Sequence, residues 1–192
     1  MLLLVSGASK TMQKYAHSPH LGVLHTPHTG NKIGKLSLRF DEHKFVRMLN
    51  RMRGMKPMWV VAPDVPFNAM ETTRLFEIWE PVIRSYGFRV AYVTQDGQEE
   101  VPVPWDRMDC LFIGGTTKYK LGAYVRRLVQ EAKRCGKWIH MGRVNSVTRI
   151  QYAQSIGVDS VDGTGYSMAP ETNIPKALRV LENEQLALQL GL

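Results

Sequence analysis

Short apolar runs recur along the whole chain, at Leu2–Ser6, Leu21–His25, Trp59–Ala62, Arg89–Thr94, Cys110–Gly114, Lys137–Met141 and Asp159–Asp162. They are rich in Val, Ile, Leu and aromatic residues and show no polar alternation, the pattern of strands covered on both faces. Between them the apolar spacing becomes helical, predicting helices over about 42–53, 68–86, 119–135, 145–156 and 175–190. In the first of these, Phe45, Met48, Leu49 and Met52 share one stripe, with Lys44, Arg47 and Arg51 off it. Asp41 is placed to cap that helix and Gly54 to stop it. Gly87, Gly136 and Gly157 each stand between a helical pattern and the next strand, as helix-to-strand turns require.

Alternation of strand and helix predicts a parallel sheet with crossover helices. Seven strands, with an eighth candidate at Lys35–Arg39, suit a compact, abbreviated TIM-like (β/α) barrel formed by residues 1–192 as a single domain. The alternative is an open nucleotide-binding sheet. It is disfavoured because no Gly-x-Gly-x-x-Gly follows the first strand and no Walker sequence occurs. Ser6-Gly-Ala-Ser-Lys10 offers only one glycine.

Composition narrows the class. No apolar run is long enough to cross a bilayer, and the opening Met1-Leu-Leu-Leu-Val-Ser-Gly7 reads as a buried strand rather than a signal peptide. Cys110 and Cys135 fit free thiols in a reducing cytoplasm, with no Cys-x-x-Cys and no metal spacing. Charge changes the picture more. Residues 1–57 carry ten Lys and Arg against Asp41 and Glu42, so this segment accounts for the whole net charge of +8. Five of the six histidines lie there too. A regional basic excess is the footprint of a polyanion-binding face, because phosphates release counterions to Lys and Arg.

Chemistry gathers where strands end. In parallel α/β folds the carboxyl ends of the strands carry the site. Here they read His25-Thr-Pro-His-Thr-Gly-Asn31, Ala62-Pro-Asp-Val-Pro66, Thr94-Gln-Asp-Gly97, Ile113-Gly-Gly-Thr-Thr-Lys118, His140-Met-Gly-Arg143 and Gly157-Val-Asp-Ser-Val-Asp-Gly163. Carboxylates accept hydrogen bonds from the N1–H and amine of a guanine edge, while Gln and backbone N–H groups donate to its O6.

Gly157-Val-Asp-Ser-Val-Asp162 resembles the segment that carries the nucleophile in tRNA-guanine transglycosylases. Ile113-Gly-Gly115 resembles their double glycine, and His140-Met-Gly142 their methionine-glycine turn beside the bound base. Asp64, ahead of a helix with Arg74, and Gln95 fall where that family keeps base-reading residues. The resemblance spans about 59–163. The chain departs from it in lacking the zinc ligands of the tRNA enzymes, the proline-threonine-arginine run after the nucleophile, and the early catalytic Asp. His28-Thr-Gly-Asn31 stands near the place of that Asp. The reduced pattern is similar to phage deazapurine DNA transglycosylases.

The resemblance implies Asp162 as nucleophile on C1′, with His28 a candidate to protonate the departing guanine. It implies a base pocket formed by Asp64, Gln95, Gly114, Gly115, His140, Met141 and Gly142. Lys118, Arg143, Lys44, Arg47 and Arg51 are candidates to hold phosphates around a flipped nucleotide. The partners expected are DNA, or alternatively RNA, and a free 7-deazaguanine base, with no metal or cofactor and no membrane. A partner subunit or homo-oligomer fits, and the setting is cytoplasmic, the host's if the protein is phage-encoded. The competing readings are a nucleic-acid-binding barrel without independent activity and a tRNA-directed transglycosylase. Asp159 reads as structural.

Overall fold

The computed structural model describes residues 1–6, 14–24 and 40–190. Among these the chain is an α/β protein whose strand pairings run in parallel. It forms two compact units, Met1–His25 with Ile139–Leu192, and Thr26–Trp138.

The first unit holds strands β1 (Leu2–Ser6) and β2 (Leu21–Leu24), with β6 and β7 from the far end of the chain. Their order is β2-β1-β7-β6. The second holds helix α1 (Glu42–Arg51), β3 (Val60–Val61), α2 (Ala69–Ser85) and β4 (Val90–Thr94). It continues through β5 (Cys110–Ile113), α3 (Thr117–Leu121) and α4 (Ala123–Arg134). Its strand order is β5-β4-β3. Strand β6 (Trp138–Met141) then leads into α5 (Val147–Ile156), β7 (Ser160–Asp162), α6 (Thr164–Met168) and α7 (Pro170–Leu190). In each run, spatial neighbours follow chain order, and the last strand lies beside the first. An open doubly wound sheet instead reverses its order at a switch point. This is the ordering of an abbreviated TIM-like (β/α) barrel.

The elements form for local reasons. Asp41 accepts the Lys44 N–H at 3.0 Å and caps α1, whose stripe buries Phe45 and Leu49. Phe40, Phe45 and Trp79 meet edge to face, with centroids 5.1 to 5.4 Å apart. Asn68 caps α2 through the Glu71 N–H. Most strand residues outside β2, where Val23 is 60% exposed, are buried: β4 is buried at all five positions, and Leu3, Ile139 and Val161 are 0% exposed in the first unit. Each such side chain contributes roughly 1.5–3 kcal/mol by leaving water.

A matched pair of carboxylates sits at the strand entries. Asp109 accepts the Val90 N–H at 2.8 Å and donates its own N–H to the Val90 carbonyl. Asp159 does the same with Ile139. Asp159 thus ties β7 to β6 at the amino ends of the strands, and it is structural.

Three boundaries differ from the periodicity. The helix expected over 119–135 begins earlier, at Thr117 with Thr116 as its cap, and is divided at Gly122, whose ψ of 159° is extended. Glycine is a poor helix residue, so a change of direction there costs little. Helix α7 starts at Pro170 rather than 175, because a proline in the first turn has no N–H that the helix needs. The short α6 has too few residues to show a period. The candidate strand Lys35–Arg39 lies outside the described residues. Among those described, no helix is long and apolar enough to cross a membrane.

Candidate functional site

In the first unit the parallel register sets the chemistry. His140 of β6 is paired with Ser160 of β7, and Ser160 and Asp162 share a face because side chains alternate along a strand. His140 therefore reaches both. Its Nδ1 is 2.9 Å from Ser160 Oγ, and its Nε2 is 3.5 Å from Asp162 Oδ1. His140 and Ser160 are 0% exposed, whereas the Asp162 side chain is 21% exposed. On the other side β1 brings Leu4 into register with Asp162.

The turn after β6 completes the carboxylate's surroundings. Arg143 adopts φ of 58°, left-handed for a residue with a Cβ, and its N–H donates to Asp162 Oδ1 at 2.9 Å. The Val144 N–H donates to the Asp162 carbonyl at 2.6 Å. Oδ2 accepts no hydrogen bond from any described residue. Among the described residues one oxygen of Asp162 is thus held and the other is not engaged. Met141 and Gly142 are buried, and the Arg143 side chain is exposed.

Behind Asp162, Asn145 Oδ1 accepts the Gly165 N–H at 2.9 Å and Asn173 donates to the Gly165 carbonyl at 2.8 Å. A Cβ on Gly163 would collide with Asn145 Oδ1, so this approach requires glycine. Tyr166 is 3% exposed, and its hydroxyl has no partner among the described residues. Burial, helped by the nearby Asp162 charge, pushes that hydroxyl up to about 12. A cleft of about 160 Å³ lies in this unit, lined by Asn145, Ser146, Tyr166, Asn173 and Lys176 among others.

The second unit brings Asp64, Gln95 and Gly114 together. Gln95, 3% exposed, donates from Nε2 to Asp64 Oδ2 at 2.6 Å and accepts the Phe67 N–H at 3.0 Å. Its carboxamide is therefore engaged on both sides. Phe67 has φ of 67° and is 51% exposed. An ideal Cβ on Gly114 would lie 2.9 Å from Gln95 Nε2, so the bare backbone is what lets Gln95 lie there. The Gly114 N–H donates to the Thr94 carbonyl. Gly115 has φ of 75°, and a Cβ would come within 2.6 Å of the Tyr119 ring and 2.7 Å of Asp96 Oδ2. Asp96 accepts both the N–H and the hydroxyl of Thr116, at 2.7 and 2.6 Å. Asp64 itself is exposed.

The candidate phosphate residues are surface groups of this unit. Lys118 is exposed on α3. Lys44 pairs with Asp41 at 3.4 Å. Arg47 and Arg51 are exposed one turn apart on α1 and make no ion pair with a described residue. His28 lies outside the described residues. A cleft of about 510 Å³ in this unit is lined by Glu99, Glu100, Trp105, Tyr124, Arg127 and Glu131 among others, and holds none of the predicted site residues. No cluster of His, Cys, Asp and Glu suited to a metal occurs among the described residues.

Sequence reading passed over Ser160, Phe67, Asp96 and Tyr166. Ser160 had a signal, two residues before Asp162 on the same strand face. Phe67 had none, because a left-handed backbone at a bulky residue has no local mark in the sequence and its N–H partner, Gln95, lies 28 residues away. No protein-family model and no curated protein sequence matches the chain.

Proposed function

We propose that the chain exchanges guanine in DNA for a 7-deazaguanine base, with Asp162 as the nucleophile. The observation that carries this reading is the Asp162 carboxylate at the carboxyl end of β7, with Oδ1 tied to the Arg143 N–H and Oδ2 unengaged by any described residue. A fixed carboxylate with one unengaged oxygen suits attack on C1′, whose transition state is oxocarbenium-like.

The exchange balances in two displacements. Oδ2 bonds to C1′ as the C1′–N9 bond breaks, and guanine leaves with the electron pair and takes up a proton. N9 of the incoming deazaguanine, losing a proton, then attacks C1′ and releases the carboxylate. The exposed Arg47 and Arg51 add the positive surface that a phosphate backbone needs.

Mass spectrometry of nucleosides from DNA incubated with the protein and a 7-deazaguanine base tests this reading. Deazaguanosine in the wild-type reaction, and none with Asp162→Asn, is the expected result. DNA left unchanged by the wild-type protein would refute it. A second reading, a nucleic-acid-binding barrel without independent activity, draws on Gln95, whose carboxamide is engaged within the protein. It predicts DNA binding with no modified nucleoside.

A further inference from the structure

We propose that His140 is a positioning residue for Asp162, an inference that rests on the base-exchange reading, and that it does not touch the base. His140 is 0% exposed, so its ring has no surface to offer a ligand. Its two nitrogens face two neighbours on β7: Ser160 Oγ at 2.9 Å from Nδ1 and Asp162 Oδ1 at 3.5 Å from Nε2. The Ser160 hydroxyl donates to Nδ1, which leaves the ring proton on Nε2, facing the carboxylate.

One hydrogen bond and one buried ring nitrogen then converge on one oxygen, the nitrogen making no hydrogen bond to it. The Arg143 N–H donates to Asp162 Oδ1 from the turn at 2.9 Å, and the imidazole Nε2, 3.5 Å from the same atom, supports it by charge and packing rather than by a hydrogen bond. A carboxylate otherwise turns about its Cβ–Cγ bond and exchanges its oxygens. Holding Oδ1 fixes which oxygen faces outward, so Oδ2 alone is aligned for attack. The left-handed backbone of Arg143, at φ 58°, is the local cost of aiming that N–H. Ser160, His140 and Arg143 thus form one support around Asp162, built by the β6–β7 register.

The test compares wild-type protein with His140→Leu, His140→Gln and Ser160→Ala in exchange of a 7-deazaguanine base into duplex DNA, with thermal unfolding as the check on fold. His140→Leu should lower kcat on the order of a hundredfold, as misaligned reacting groups do, and leave the KM for the free base unchanged. His140→Gln retains an N–H near Nε2 and should recover most of the loss, while Ser160→Ala should fall between. A raised KM for the base with kcat intact would make His140 a base-reading residue and overturn the proposal. An unchanged kcat in His140→Leu would overturn it equally.

Nitrogen NMR of the wild-type imidazole serves if His140→Leu does not fold. A proton on Nε2 supports the arrangement, and a bare Nε2 overturns it. Wild-type protein that leaves DNA unmodified refutes base exchange itself, and the NMR result then still decides whether His140 supports Asp162.

Discussion

Two strand-end carboxylates, one in each unit, meet different fates. Asp64 is bound by Gln95, which in turn holds the Phe67 backbone, and the adjoining glycines are closed against Gln95, Tyr119 and Asp96. Asp162 is held at one oxygen, and no described residue engages the other. The rim of the second unit is a set of mutually satisfied polar groups, which rigidify a loop. The rim of the first retains hydrogen-bonding capacity beside a buried support. Residue types alone do not separate these cases, since both rims present Asp, Gly and a second polar side chain.

The comparison breaks most sharply at Asp162. Asp162→Asn should abolish covalent capture of DNA on denaturing gels, because the amide is a very poor nucleophile. Its Oδ1 still accepts the Arg143 N–H, so the melting temperature should stay near wild type. Asp64→Asn should still form the adduct. Equal loss in both variants would erase the distinction.

Changes at the second rim should instead register as stability. Gly115→Ala places a Cβ at φ 75° against Tyr119 and Asp96, and should cost about 1–3 kcal/mol. Gln95→Leu removes both hydrogen bonds of the carboxamide and should cost about 1–3 kcal/mol for the groups left unmatched. Denaturant unfolding reads both. Unchanged midpoints would mean that this rim is not the rigid one.

Tyr166 offers a smaller effect of opposite sign. Its hydroxyl is buried and has no partner among the described residues, so Tyr166→Phe should be neutral or stabilising by about 1 kcal/mol. Because its folded value is raised from 10.0 to about 12, ionisation favours the unfolded chain. That stability is intact below pH 10 and declines as pH climbs through about 12. Tyr166→Phe should remove this part of the alkaline loss, and an unaltered alkaline unfolding curve would contradict it. The smallest stability change belongs to the surface. Replacing Arg47 and Arg51 by Ala should alter stability by less than about 0.5 kcal/mol. It should nevertheless flatten the slope of log affinity for DNA against log salt by about 2. A slope identical to wild type would take these arginines off the DNA path.

Much of the fold was legible because strands covered on both faces leave uninterrupted apolar runs. Val90–Thr94 and Cys110–Ile113 lie within one residue of the expected limits. The break at Gly122 and the early start of α7 were not, since one glycine in a helical pattern does not announce a change of direction. At the site, the position of Asp162 at a strand end was legible, but its partners were not. His140 meets Ser160 through the register of two strands distant in sequence, and that pairing is a tertiary event with no local mark. Gln95 was legible as a polar strand-end residue, whereas its attachment to Asp64 and Phe67 depends on how two loops lie together. Much of the basic segment, including Lys10, Lys32, Lys35, Arg39 and His28, lies outside the described residues.

The pairing of β1 with β7 also has a kinetic meaning. Leu2 is in register with Ser160 and Leu4 with Asp162, so the first strand finds that neighbour only after most of the chain has been made. The intervening unit is continuous in sequence and can complete its own pairings as it emerges from the ribosome. Closing so long a loop adds entropy slowly with length, but it must be met before the contact rewards it. During synthesis Leu3, Leu4 and Val5, all buried in the finished protein, wait with one strand edge unpaired. A chain stalled before residue 160 therefore offers β1 neither its β7 neighbour nor Asp162, so the pairing that brings Leu4 beside Asp162 has to wait for the last strand.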